Sequence, residues 1–382
     1  MELFTTLADL IRINSINAFY EGGPGEAEVA RYVEKFFQQR GIETWRQDVL
    51  LANERTDDRQ NVIARIAGVD STRRIVLEAH MDTVSVQGMS IPPFEPNVQN
   101  GRMYGRGSCD TKAGLAAMMH AVASIHASGS KPPCDVLLAA VVDEEYSSLG
   151  VQKLCEDIVA DAAIVAEPTE LRVAIASKGV LRWRIIATGK SSHSSKAHLG
   201  INAIYHMAKI VLAFERDHAA LSKVSDPLLG AASCNVGIIA GGVQVNFVPD
   251  HCSIEIDRRL LPNETVSDVW KHYEQLLESL KESIPDLNVR MEHPMLVDEA
   301  WRVDPASSIV RVAGNVMSNL GLDAEPIGVP FGSDASKLGR KGIPTIIFGP
   351  GSIDQAHSAI EYIELTQVAK AFEFYRGCVL AF

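Results

Sequence analysis

Read for apolar and polar positions, the first clear element of the chain is a helix from about Glu26 to Arg40. Val29, Tyr32, Val33, Phe36 and Phe37 recur at i, i+3, i+4, i+7 and i+8, which places them on one face, and Gly41 can stop the helix. Short apolar runs follow at Asn61–Ile66, Arg74–Ala79, Asp135–Val142, Ala162–Ala166 and Pro344–Phe348. Runs of this length predict buried strands, and the pattern over Lys112–Ser128 predicts a helix between two of them. Strands that alternate with helices imply an α/β domain built on a mainly parallel sheet with helices on both faces.

The middle of the chain has a different rhythm. Val180–Thr188 alternates as a strand does, Asn202–Phe214 is helical, and Ser233–Ala240 and Cys252–Leu260 are again strands. Val266, Val269, Trp270, Tyr273, Leu276, Leu277 and Leu280 mark one face of a second helix, and Leu287–Met291 suits a last strand. The order β-α-β-β-α-β describes a compact ferredoxin-like unit with its own two-layer core. It reads as an insertion over residues 178–292 within a discontinuous domain formed by 1–177 and 293–382. A chain of 382 residues is too long for one ordinary core, so two domains agree with the pattern.

Composition narrows the partners. The formal charge of −12 argues against nucleic acid, whose phosphates need a basic face. The start, Met1-Glu2-Leu3-Phe4, shows no secretory signal, and the longest strongly apolar run, Val136–Val142, is too short to span a bilayer. The six cysteines are scattered without a Cys-x-x-Cys, which suits reduced thiols. A cytoplasmic protein acting on small molecules is the expectation.

The candidate chemistry lies at strand ends. Arg74–Ala79 runs into His80-Met81-Asp82, Asp135–Val142 into Asp143-Glu144-Glu145, and Ala162–Ala166 into Glu167-Pro168-Thr169. Pro344–Phe348 leads through Gly349-Pro350-Gly351 to His357. Asp110 sits in a Gly-rich turn, Gly105–Lys112, that opens an Ala- and Met-rich helix. Open α/β sheets bind ligands at the carboxyl ends of their strands. Two histidines and several carboxylates suit two divalent ions, and a pair of ions about 3.5–4 Å apart needs a shared ligand. A carboxylate bridges readily, so the bridge should be an acid. Singly, a His-x-Asp, an acidic triplet or a Glu-Pro turn would be ordinary surface; their conjunction at four strand ends is not. Of Glu144 and Glu145, spacing alone does not choose a base or a ligand. Adjacent residues of an extended chain diverge, so one should face the ion and the other the cleft.

These stretches resemble the co-catalytic zinc metallopeptidases that include acetylornithine deacetylase, succinyl-diaminopimelate desuccinylase, aminoacylase and carboxypeptidase G. The resemblance rests on Ala79–Val84, Gly105–Gly114, Asp143–Glu145, Ala166–Thr169, Ser192–Ser195 and Gly349–Gly351 with Gln355-Ala356-His357. It implies two zinc ions per chain, with cobalt able to substitute. His80, Asp110 and Glu167 would hold one, and Asp110, Glu145 and His357 the other. Asp82 would orient His80, and Glu144 would be the general base. His193 would stabilise a tetrahedral oxyanion, often across a dimer. Asn246 and Arg259 would contact substrate, Arg259 through a carboxylate. Strand alternation sets Arg259 on one face with Glu255 and Asp257, and Arg258 on the other with Ile254 and Ile256. Two departures stand out: Ala79 precedes His80 where relatives often have Gly, and Thr111 follows Asp110 where relatives often have Met or Asp. A cis peptide after Asp110 is usual in the family, and the sequence leaves it open here.

The implied reaction is hydrolysis of the amide of an N-acyl amino acid by a zinc-activated water and a Glu base. Phe348–His357 and Glu361-Tyr362-Ile363 resemble the acetylornithine deacetylase branch most. A desuccinylase, and then a carboxypeptidase or dipeptidase, are the alternatives. The remaining one is a non-catalytic binding protein on the same fold, although a scaffold would be free to lose a ligand and none is missing. The insertion would serve as lid and dimer contact in a homodimer.

Overall fold

The computed structural model describes residues 2–49 and 59–382. They divide into two compact units. The first comprises Met1–Ile175, Val303–Ile327 and Ser333–Phe382, and the second Ala176–Arg302 with Gly328–Gly332.

In the first unit six strands lie in the order Glu43–Asp48, Gln60–Ile66, Cys134–Val141, Asp70–His80, Ala162–Val165 and Thr345–Ile347. The last four run parallel to one another, and the first two add antiparallel at one side. Burial explains the composition of the centre. Cys134–Val141, Ala162–Val165 and Thr345–Ile347 are buried at every position, because helices cover both faces. The outer strand Glu43–Asp48 is half exposed and correspondingly polar.

Two helical layers provide that cover. The helix Lys112–Ala127 packs against Glu2–Arg12, Ala27–Gln38 and Leu365–Ala381, and Ser308–Asn319 joins them through Leu365–Ala381. The helix Leu149–Asp157 pairs with Ala335–Arg340 in the other layer. Lys112–Ala127 is apolar on nearly every side, as a helix enclosed by others must be. The structure has a helix ahead of the stripe that begins at Val29: Glu2–Arg12 buries Leu7, Leu10 and Ile11, an i, i+3, i+4 spacing. It also adds an antiparallel pair, Asn97–Gln99 with Arg102–Tyr104, too short to show a period.

The second unit is an antiparallel sheet in the order Ser233–Gly241, His251–Leu260, Gly179–Thr188 and Asn288–Met291. The helices Ala203–Leu221 and Val266–Ser283 pack on it and on each other. Strict alternation in His251–Leu260 buries Cys252, Ile254, Ile256, Arg258 and Leu260. Trp183 and Phe214 flank Tyr273 at ring-centroid distances of 4.9 and 5.0 Å in the centre of this core. Such pairs add about 0.5–1.5 kcal/mol each beyond the area they bury. The unit continues past residue 292 because Leu296–Asp298 pairs with Val180–Arg182 of the central strand.

No helix among the described residues is long and apolar enough to cross a membrane. All six cysteines are unpaired.

Candidate metal centre

The parallel strands deliver their ends to one edge of the sheet. His80 closes the strand Asp70–His80, Asp143–Glu145 follow Cys134–Val141 by one residue's gap, and Glu167 lies just past Ala162–Val165. Asp110 arrives from the turn before Lys112–Ala127, where Gly105 and Gly107 adopt φ of 146° and 79°, a backbone that side chains resist. The Asp110–Thr111 peptide is cis.

Asp110 stands between the two histidines. Its Oδ1 is 3.1 Å from His80 Nε2 and its Oδ2 3.3 Å from His357 Nε2. His357 Nε2 is also 3.1 Å from Glu145 Oε2. Ligand atoms of His80, Asp110 and Glu145 lie within 4.8 Å of one another, as do those of His80, Glu144 and Glu167. All seven candidates, His80, Asp110, Glu144, Glu145, Glu167, His357 and Asp82, are therefore in one locality of the first unit.

The backbone corrects one expectation. Glu144 and Glu145 do not lie in extended chain. They form a turn entered at Asp143, whose φ is 70°, and the main-chain N–H groups of both donate to the Asp82 carboxylate at 3.2 and 3.0 Å. In a turn neighbouring side chains need not diverge, and both carboxylates converge on His80.

Asp82 has a wider part than orienting one ring. His80 Nδ1 faces the main-chain oxygen of Asp82 at 3.1 Å and its carboxylate at 3.4 Å. Between two oxygen acceptors Nδ1 carries a proton, so a neutral ring would present the Nε2 lone pair to Asp110. A lone pair and a carboxylate oxygen 3.1 Å apart repel unless a proton or a cation lies between them.

The titration behaviour says the same. Burial opposes a charge on His80, but the carboxylates of Asp110 and Asp82 outweigh it and hold the imidazole protonated well above its usual range. Contacts with Asp110 and Glu145 push His357 up to about 11. Burial would raise Asp110, yet His357 and His80 keep its carboxyl below the usual range. Glu167 is pushed up by burial and then by Asp110 and Glu144; Glu145 by burial and then by Asp110; Glu144 by burial, with Asp334 and Glu145 adding to it. An acidic cluster buried this way needs positive charge. Two imidazoles with carboxylate oxygens are the donor set of borderline-hard divalent ions such as zinc, so the residues fit a pair of them.

Several residues support the site in ways the sequence did not indicate. Asn17 donates to both Asp82 and Asp143, at 2.8 and 2.9 Å. Arg59 donates to Asp143 at 2.8 Å. Glu361 is fully buried, pairs with Arg106 at 2.7 Å and accepts the main-chain N–H groups of Gly107, Cys109 and Asp110. It thereby holds the turn that presents Asp110. Glu361 opens the Glu361-Tyr362-Ile363 stretch that carried a family resemblance, but nothing local tied it to Asp110; a lone loop asparagine offers no signal.

His193, Asn246 and Arg259 belong to the second unit. The short strand Ser192–His193 pairs with Phe247–Val248, and Ser194 N–H donates to the Asn246 carbonyl at 2.9 Å, so His193 and Asn246 are neighbours there. His193 is exposed, and its Nδ1 accepts the Ser195 N–H at 3.2 Å. Arg259 sits on the polar face and is paired with Asp257 at 2.8 Å, while Arg258 is buried and paired with Glu264.

A mainly parallel sheet thus gathers acidic and imidazole side chains, a donor set for divalent metal ions, at its carboxyl edge. Residues 76–381 match Peptidase family M20/M25/M40, and the chain belongs to that family. It is similar to an N-formyl-4-amino-5-aminomethyl-2-methylpyrimidine deformylase of Halalkalibacterium halodurans, with 26% identity over 90% of this chain and 86% of the relative. It is also similar to an acetylornithine deacetylase of Myxococcus xanthus, with 29% identity over 82% of this chain and 81% of the relative. Among solved structures, the aminopeptidase PepT of Bacillus cereus shares the fold at a TM-score of 0.81 and 23% identity, covering 99% of this chain and 97% of that one.

Proposed function

We propose that the chain is a two-zinc amidohydrolase that removes a small acyl group from an N-acyl amino acid or related amine, in the manner of acetylornithine deacetylase. The observation that carries this reading is Asp110, whose two carboxylate oxygens face His80 and His357 separately. The relatives named a deformylase and a deacetylase support the reaction type, since both names describe removal of an acyl group. In the proposal His80, Asp110 and Glu167 hold one ion, and Asp110, Glu145 and His357 the other. Bound ions would supply Lewis acidity toward the amide carbonyl and a lower pKa for water.

The chain's own residues do the rest. Glu144 takes a proton from the attacking water and returns it to the leaving amine. Asp82 keeps the proton of His80 on Nδ1 and holds the Glu144–Glu145 turn through two N–H groups. Because Nδ1 of His193 accepts the Ser195 N–H, the neutral ring carries its proton on Nε2. That N–H is a suitable donor to the tetrahedral oxyanion. Asn246, beside it, contacts substrate, and Arg259 exchanges Asp257 for a substrate carboxylate.

His193 acts in trans in a homodimer formed through the second unit. The outer strand Ser233–Gly241 exposes Ile238 and Ile239, and the adjacent helix exposes Ile204, Tyr205 and Leu212, an unpaired edge and apolar face of the kind a second copy covers.

The test is metal analysis of purified protein followed by a panel of N-formyl, N-acetyl, N-succinyl and dipeptide substrates. We expect up to two zinc or cobalt ions per chain and chelator-sensitive hydrolysis of an N-acyl amide. Full activity in metal-free protein, or peptide cleavage with no N-acyl hydrolysis, overturns the reading.

A further inference from the structure

Beside the metal centre lies a group of rings that the proposed reaction does not use. Phe19 and Tyr146 stack at 4.5 Å with 22° between their planes, and Tyr20 meets Tyr146 edge-on at 6.1 Å. Phe19 is 39% and Tyr146 51% exposed. Single exposed apolar side chains are ordinary on a soluble protein. Three rings in contact, next to the two acidic residues of the site, are a built surface.

Their placement is tied to the site by named bonds. Tyr146 directly follows Glu145, and the Tyr20 hydroxyl donates to the Glu145 carbonyl at 3.0 Å. The Asn17 amide that grips Asp82 and Asp143 also has its side-chain oxygen on the Phe19 N–H at 3.0 Å, and Asn17 N–H donates to the Thr83 carbonyl at 2.9 Å. One asparagine thus sets the register of the rings against the carboxylates. Phe19 is engaged by Tyr146 and by the Arg59 guanidinium, 4.9 Å from its centroid, so the ring surface left for a ligand is largely that of Tyr146.

We propose that Phe19, Tyr20 and Tyr146 form an aromatic wall beside the metal centre that receives a flat aromatic ring carried by the substrate. This rests on the amidohydrolase reading and narrows its substrate class. A short aliphatic amine would leave the Tyr146 face wet, whereas a planar ring would desolvate it and stack in offset or edge-on geometry. The ring could belong to the acyl half or to the amine half of the amide, and the shared chemistry is the planar π surface.

The experiment uses the separate halves, which bind without turnover. Metal-loaded protein is titrated calorimetrically with phenylalanine against leucine for the amine half, and with benzoate against isovalerate for the acyl half. We expect one aromatic member to bind roughly two- to twelvefold tighter than its aliphatic partner, the range that an aromatic contact supplies. The pair that shows the preference identifies the half that carries the ring. Tyr146→Leu should bring that ratio to about one, and Phe19→Leu, which removes the ring that buttresses Tyr146, should lower it. Equal binding within both pairs, or a preference that survives Tyr146→Leu, overturns the proposal. Failure of the amidohydrolase reading is seen separately, as no cleavage of any N-acyl substrate while the binding ratio persists.

Discussion

Glu361 is the residue on which the geometry makes its sharpest demand. Its carboxylate pairs with Arg106 at 2.7 Å and accepts the N–H groups of Gly107, Cys109 and Asp110 at 3.1, 2.8 and 3.2 Å. Neither side chain is more than 2% exposed. Glu361→Ala leaves a buried guanidinium without its counter-ion, which costs about 3–5 kcal/mol in comparable cases. It also strips three main-chain N–H groups of their acceptor, each worth roughly 1–3 kcal/mol if water cannot replace it. These terms overlap, because one cavity admits water to all of them, so we expect a loss of at least about 3 kcal/mol rather than their sum. Glu361→Gln keeps an acceptor for Cys109 and Asp110 but loses the ion pair, and should fall between the Ala variant and the native protein. The assay is urea unfolding followed by near-ultraviolet circular dichroism, with metal content measured on the same samples. Since Glu361 holds the turn that presents Asp110, the Ala variant should also bind metal more weakly. An Ala variant within about 1 kcal/mol of native, with full metal content, would refute the claim that this pair holds the turn.

Other consequences can be checked directly. Glu144→Gln should retain both metals and lose turnover by about 10²–10⁴-fold, the usual contribution of a general base; loss of metal instead would make Glu144 a ligand beside His80 and Glu167. Burial lowers His120 from the usual imidazole range to about 4, so between those values the unfolded chain binds the extra proton and stability falls as pH falls. His120→Gln should flatten that part of the stability profile, read as the difference between the two denaturation series, and an unchanged profile would show that folding does not disfavour the charged His120 ring. Mixing His193→Ala subunits with Glu144→Gln subunits should restore part of the activity in mixed dimers if His193 is donated in trans. Verified mixed dimers with no recovery would exclude that donation.

What could be read from the sequence was whatever repeats with a local period or sits at the end of one. The stripe from Val29 to Phe37, the buried runs around Val136 and Ile164, and the alternation from Cys252 to Leu260 each report which side of an element is dry, and that is set within a few residues. The ligand candidates were legible for the same reason: parallel strands collect their carboxyl ends at one edge, so His80, Glu145 and Glu167 had to come near one another once the strands were recognised. Tertiary structure alone decided which groups share a hydrogen bond. Asn17 meets Asp82 across 65 residues of chain, and Glu361 meets the Asp110 N–H across 251. No periodicity reports such a pairing, because it depends on how whole layers stack. The turn at Glu144–Glu145 is a similar case. The run that precedes it is extended, and the chain bends where the Asp143 carbonyl accepts the N–H groups of Ser147 and Ser148 and the Asp82 carboxylate accepts those of Glu144 and Glu145, so that both glutamates reach His80. His193 and Asn246 became neighbours in the same way, through a two-residue ladder with Phe247 and Val248 that is too short to leave a pattern. Local sequence sets the elements and their faces, whereas the positions of protons and charges in the site follow from contacts that exist only after those elements have packed.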